Sequence, residues 1–200
     1  MPSQLLFLPG ASGNTAFWAP VAERLAFSGD KTLLGWPGFA ELPADPQVRG
    51  IDDLVAQVVA RLDRPTALIA QSMGGVVAVL AALQRPEQVT HLVLTVTSGG
   101  LDLQGLGAMD WRTEFSAASP QLPAWFCDYH EDLSGPLATL EIATLLLWGD
   151  ADPISPVSVG QRLETLLPRA SLHVLAGGGH DLAWVMAAQV APLIDEHLAR

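Results

Sequence analysis

The chain has 200 residues, half of them apolar and 16% charged, so it can bury a core without disulfides or a structural metal and is too apolar to be disordered. Its 21 acidic residues outnumber its 10 basic ones, and the resulting net charge of −11 argues against nucleic acids and anionic membranes as partners. Cys127 is the single cysteine and cannot form an internal disulfide, and Met1-Pro2-Ser3-Gln4 carries no basic residue of the kind that opens a signal peptide, so a cytoplasmic location is expected.

Residues 4–8 read as a strand that stops at Pro9-Gly10. Phe17, Val21 and Leu25, at steps of four, predict a helix from residue 14 to about residue 27. A strand is expected at 32–36. Ile51, Leu54, Val55, Val58, Val59 and Leu62 form a helical stripe over 51–62. Residues 66–70 then read as a strand, and 73–83, apolar nearly all round, as a buried helix. Strands at 91–97, 143–148 and 171–175 and helices at 156–167 and 182–198 complete the series. The strands are apolar on both faces, which predicts burial between two helical layers. The alternation predicts an α/β fold: a mainly parallel six-stranded sheet with helices on both faces. One connection, 98–141, lacks a strand but holds Trp111, Phe115, Trp125, Phe126 and Tyr129, and an excursion of that length is expected to be functional.

Four segments carry candidate chemistry, each at the C-terminal end of an expected strand. Ala70-Gln71-Ser72-Met73-Gly74-Gly75 joins a buried strand to a buried helix. A serine on so tight a turn is pushed into the cleft, and the following N–H groups at a helix N-terminus can stabilise an oxyanion. The structural alternative is an N-cap serine beside packing glycines. Trp148-Gly149-Asp150-Ala151-Asp152-Pro153 places carboxylates just past another strand, where an acid can orient an imidazole. Asp150 and Asp152 compete for that role, and a turn aspartate is the alternative for either. Gly177-Gly178-Gly179-His180 puts a histidine on a loop before a helix, as a general base or a solvated surface group. Pro9-Gly10-Ala11-Ser12-Gly13-Asn14 offers further backbone N–H groups, or simply a helix start capped by Asn14. The other histidines are weaker candidates: His91 and His173 lie in or beside strands, His130 in the excursion and His197 near the fraying C-terminal end. No HxxxH or CxxC spacing occurs, so no metal is implied.

These segments, in the order Ser, Asp, His, together with Trp18 and the Trp36-Pro37-Gly38-Phe39 loop, resemble the α/β-hydrolase superfamily over nearly the whole chain. The chain looks most like its small carboxylesterases, such as the biotin-pathway group. The resemblance implies Ser72 as nucleophile, His180 as base and Asp152 as acid, with the Ala11 and Met73 amides as the oxyanion hole. It implies a single domain over 1–200, with 98–141 as a reduced cap, and no cofactor. Pro9 stands where many members have histidine, and Ala70 where the usual elbow has glycine. The expected function is cleavage of a small carboxylic ester through an acyl-enzyme. Thioester hydrolysis, C–C cleavage or elimination on the same scaffold, and a non-catalytic binding protein, are the alternatives. Trp111, Phe115, Trp125 and Phe126 are expected to line the substrate pocket. Asp102, Asp110, Glu114, Asp128, Glu131 and Asp132 against Arg112 alone in the excursion disfavour an acidic carrier protein as partner.

Overall fold

The computed structural model describes residues 1–119, 122–123 and 125–200. Strands β1 (Gln4–Leu8), β2 (Asp30–Leu33), β3 (Thr66–Gln71), β4 (Val89–Thr95), β5 (Ala143–Gly149) and β6 (Ala170–Leu175) form one sheet in the order β2-β1-β3-β4-β5-β6. Every neighbouring pair is parallel. All residues of β1 and β3 are buried, which requires helices over both faces of the sheet centre. Helix α2 (Ile51–Val59) turns Ile51, Leu54, Val55 and Val58 inward, while α3 (Met73–Gln84) is apolar on all sides because it lies between α2 and the sheet. Fully buried side chains such as Leu68, Ile69 and Leu92 each contribute roughly 1.5–3 kcal/mol to this core.

The chain leaves β1 toward β2 on one side and returns to β3 on the other. Loops after β1 and β3 therefore diverge and open a crevice at the C-terminal edge of the sheet, the usual ligand position in such sheets.

Several expectations are corrected. Strand β2 begins and ends earlier than 32–36, and it is only half-buried because it is an edge strand; β6, at the opposite edge, exposes His173 and Val174. The expected burial of every strand between two layers therefore holds for the inner strands and fails at the margins. Strand β4 starts at Val89 and stops before Val96, which takes φ 41° and donates its N–H to Leu147 O at 3.1 Å. The helix expected over 14–27 is reduced to α1 (Ala19–Ala22). Asn14 Oδ1 accepts the Ala16 N–H (2.9 Å) in a local turn instead of capping a longer helix. The Lys31 ammonium donates to the Ala22 and Leu25 carbonyls at 2.9 and 3.0 Å, at and just past the end of the helix. The helix expected over 182–198 is interrupted at Met186 into α8 (Leu182–Val185) and α9 (Ala187–Leu198). His197 is not at a frayed end: it is 6% exposed and packs edge-on against His91 at 5.2 Å.

The excursion 98–141 contains α4 (Arg112–Ala118), α5 (Trp125–Asp128) and α6 (Ser134–Leu137), and no strand among the described residues; Pro120, Gln121 and Ala124 within it lie outside them. Helix α7 (Val157–Leu166) packs on β5 and β6. Among the described residues no helix is long and apolar enough to cross a membrane.

Candidate active site

Strand β3 ends at Gln71, and Ser72 turns the chain into α3 with φ 53° and ψ −122°, a conformation that costs a non-glycine residue on the order of 1–3 kcal/mol. Its backbone is fully engaged: the N–H donates to Thr95 O (3.0 Å), and the carbonyl accepts from Gly75 N (2.9 Å) and Thr97 Oγ1 (2.6 Å). The two glycines that follow are there for close approach. A Cβ on Gly74 would lie 2.5 Å from Pro9 O, and one on Gly75 would lie 2.5 Å from Thr97 Oγ1.

Asp152, on the loop after β5, has a fully buried side chain. Its Oδ1 accepts the Ile154 and Ser155 N–H groups at 2.8 and 3.2 Å, and its Oδ2 lies 2.8 Å from His180 Nδ1. A carboxylate facing two N–H donors accepts, so Nδ1 carries the imidazole proton. His180 Nε2 is then the acceptor and lies 3.0 Å from Ser72 Oγ. Asp150 takes a different part: its Oδ1 accepts the Gly177 N–H at 2.6 Å and ties the β5 loop to the glycine loop that bears His180. Ser72, His180 and Asp152 thus form one hydrogen-bonded chain, and Asp150 stands outside it.

The loop after β1 is pinned by two indoles. Trp18 Nε1 donates to Leu8 O at 3.0 Å and Trp36 Nε1 to Pro9 O at 2.9 Å. Ala11 and Met73 face the same cavity as Ser72, and among the described residues neither amide has a protein acceptor. Met73 opens α3, so the positive end of that helix points at the same place.

The cavity has a volume of about 1260 Å³ and lies between the crevice and the excursion. Trp111, Phe115 and Phe126 line it. Trp125 does not: it turns away to pack edge-on against Phe39 at 5.9 Å. Six carboxylates border the cavity (Asp102, Asp110, Asp128, Glu131, Asp132 and Asp181) against the Arg112 guanidinium. Arg112 Nε donates to Cys127 O at 3.0 Å and the group lies 5.2 Å from the Trp111 ring centre. Burial and the neighbouring Glu131 carboxylate, which accepts its hydroxyl at 2.7 Å, hold the Tyr129 phenol above the usual tyrosine range. Among the described residues no three His, Cys, Asp or Glu side chains converge as a metal site requires.

Residues 5–193 match the alpha/beta hydrolase family. The chain belongs to that family. This alpha/beta hydrolase is 30% identical over 96 residues to a pimeloyl-[acyl-carrier protein] methyl ester esterase of Aliivibrio salmonicida, a match covering 48% of this chain and 36% of that relative. It is 28% identical to a 2-hydroxy-6-oxononadienedioate/2-hydroxy-6-oxononatrienedioate hydrolase of Burkholderia vietnamiensis, over 96% of this chain and 84% of that one. Its fold is that of a thermophilic esterase from Thermogutta terrifontis, with a TM-score of 0.82 at 18% identity over 98% and 89% of the two chains.

Three polar residues around the site of this alpha/beta hydrolase are not signalled by periodicity or motif. Gln71, 5% exposed, donates from Nε2 to His180 O at 3.0 Å and ties the elbow to the histidine loop. Thr97 and Ser155 are buried behind the elbow. Gln71 is the last residue of β3, and Thr97 and Ser155 lie in the loops after β4 and β5, all on the crevice side.

Proposed function

We propose that this alpha/beta hydrolase is a serine hydrolase that cleaves a carboxylic ester through an acyl-enzyme. The observation that carries this reading is the Ser72–His180–Asp152 hydrogen-bond chain at 3.0 and 2.8 Å, opening into the cavity. His180 Nε2 takes the Ser72 hydroxyl proton as Oγ attacks the acyl carbon. The buried Asp152 carboxylate stabilises the imidazolium so formed. The Ala11 and Met73 N–H groups receive the negative charge on the carbonyl oxygen, each worth about 3–4 kcal/mol of barrier. The imidazolium then gives its proton to the departing alkoxide, and a water deprotonated by the same imidazole releases the acid.

Residues 98–141 act in this reading as a reduced cap on a single domain. The substrate is a small-molecule ester that carries no negative charge. The carboxylates around the cavity oppose a dioate or an ester held on an acidic carrier protein. The named activity of the Aliivibrio relative supports ester chemistry, not the carrier. Hydrolysis of a p-nitrophenyl ester series tests the reading. Turnover is expected in the wild type and is expected to vanish in both S72A and H180A; turnover that survives S72A refutes it.

A further inference from the structure

Behind the triad runs a second hydrogen-bonded path that the proposed chemistry does not use. Thr97, 1% exposed, donates its hydroxyl to Ser72 O at 2.6 Å and accepts the Gly99 N–H at 3.0 Å on the same oxygen. Its carbonyl receives the hydroxyl of Ser155, 3% exposed, at 3.5 Å. Ser155 Oγ in turn accepts the Trp148 indole N–H at 3.2 Å, and the Ser155 N–H donates to Asp152 Oδ1 at 3.2 Å. The path therefore runs from the strained elbow through two buried hydroxyls to the loop after β5, where the Ser155 backbone N–H holds the carboxylate.

Directionality supports a built feature. Trp148 Nε1 can only donate and Thr97 O can only accept, so the Ser155 hydroxyl has one orientation that satisfies both. The Thr97 hydroxyl is fixed the same way between a carbonyl acceptor and an N–H donor. Residue 75 must be glycine for Thr97 to reach the Ser72 carbonyl, since a Cβ there would meet Thr97 Oγ1 at 2.5 Å.

We infer that Thr97 and Ser155 are positioning residues, whose buried hydroxyls brace the nucleophile elbow against the acid loop and so hold Ser72 and Asp152 in register on either side of His180. The inference rests on the proposed serine-hydrolase reading. Without the brace, the Ser72 carbonyl keeps only the Gly75 N–H, and the elbow loses its tie to the loop that carries the acid. Among the described residues Thr97 does not line the cavity, so its loss leaves substrate binding alone, whereas Ser155 borders the cavity and its loss is read in kcat. In T97V chemistry should therefore suffer and KM should not.

The test compares wild type, T97V, T97S, S155A and T97V/S155A for kcat and KM on a p-nitrophenyl ester. Each rate is normalised to the fraction of Ser72 that a fluorophosphonate labels, with Tm measured alongside. T97V is expected to lower kcat per labelled site by about tenfold or more, with KM changed less than about twofold. T97S, which keeps the hydroxyl, is expected to recover most of the rate. The double variant should fall less than the product of the two single effects, as residues acting as one unit do. A T97V enzyme with wild-type kcat overturns the inference, as does loss that T97S fails to recover. If T97V does not fold, S155A decides on kcat per labelled site: a fall supports the brace, and wild-type kcat overturns it. Failure of the wild type to label at all overturns the serine-hydrolase reading and this inference with it; labelling and turnover in T97V at wild-type rates overturn the inference alone.

Discussion

Acid should destabilise this protein through a pair of histidines remote from the triad. His197, on the inner face of α9, is 6% exposed, and His91 of β4 lies edge-on to it at 5.2 Å. Burial, and then the proximity of His91, lower the His197 pKa from 6.5 to about 4, and burial lowers that of His91 in the same direction. The unfolded chain therefore takes up a proton on residue 197 as pH falls through 6.5, while the folded chain resists until about 4. Stability is full above the upper value and is lost progressively across that window. Between pH 7 and pH 5 the loss from His197 alone is about 2 kcal/mol, taking 1.36 kcal/mol per unit of unmatched protonation. For a chain of this size that corresponds to roughly 4–8 °C in Tm. Urea unfolding at pH 7, 6 and 5 of wild type and H197F isolates the effect, since all other groups are common to both. The wild type should lose about 2 kcal/mol more than H197F over the interval. Parallel pH dependences would refute the argument and place the His197 ring in contact with water.

Three further outcomes are expected. D152N should lower kcat by about 10³–10⁴-fold by spoiling the imidazole tautomer, while D150N, which keeps an oxygen to accept the Gly177 N–H and lies outside the triad, should leave kcat within about threefold; steady-state rates on one ester measure both. G75A should cost about 1–3 kcal/mol of stability, read as a fall in Tm, because its Cβ meets Thr97 Oγ1; an unchanged Tm would mean that the threonine moves freely. Of two p-nitrophenyl esters of equal length, one ending in a methyl group and one in a carboxylate, the anionic one should show a kcat/KM lower by about tenfold at low ionic strength. The gap should narrow as salt is added, and equal values at low salt would contradict the charge argument.

How much of this was legible in the sequence depended on whether a signal was local. Strand β1 falls on its expected residues because an uninterrupted apolar run, closed by Pro9-Gly10, has no other way to bury both faces. Helix α2 was legible from its stripe. Residues 14–27 mislead because Phe17, Val21 and Leu25 do face the core at a spacing of four, yet only Val21 lies in the one-turn helix and the other two flank it. Side-chain bonds from Asn14 and Lys31, invisible to periodicity, decide that geometry. Ser72, Asp152 and His180 were legible as candidates because strand ends, glycines and a loop position mark them, but the choice between Asp150 and Asp152 needed coordinates. Thr97, Ser155 and Gln71 could not be found in the same way. No spacing or motif marks them, and what makes them matter is a partner 25 to 109 positions away.

Activation of the Ser72 hydroxyl by His180 is probed directly by intact-mass measurement after exposure to a fluorophosphonate. One adduct is expected on the wild type, mapped to Ser72, and none on S72A or H180A. An unmodified wild type, or an adduct that persists at the same rate in H180A, would contradict it.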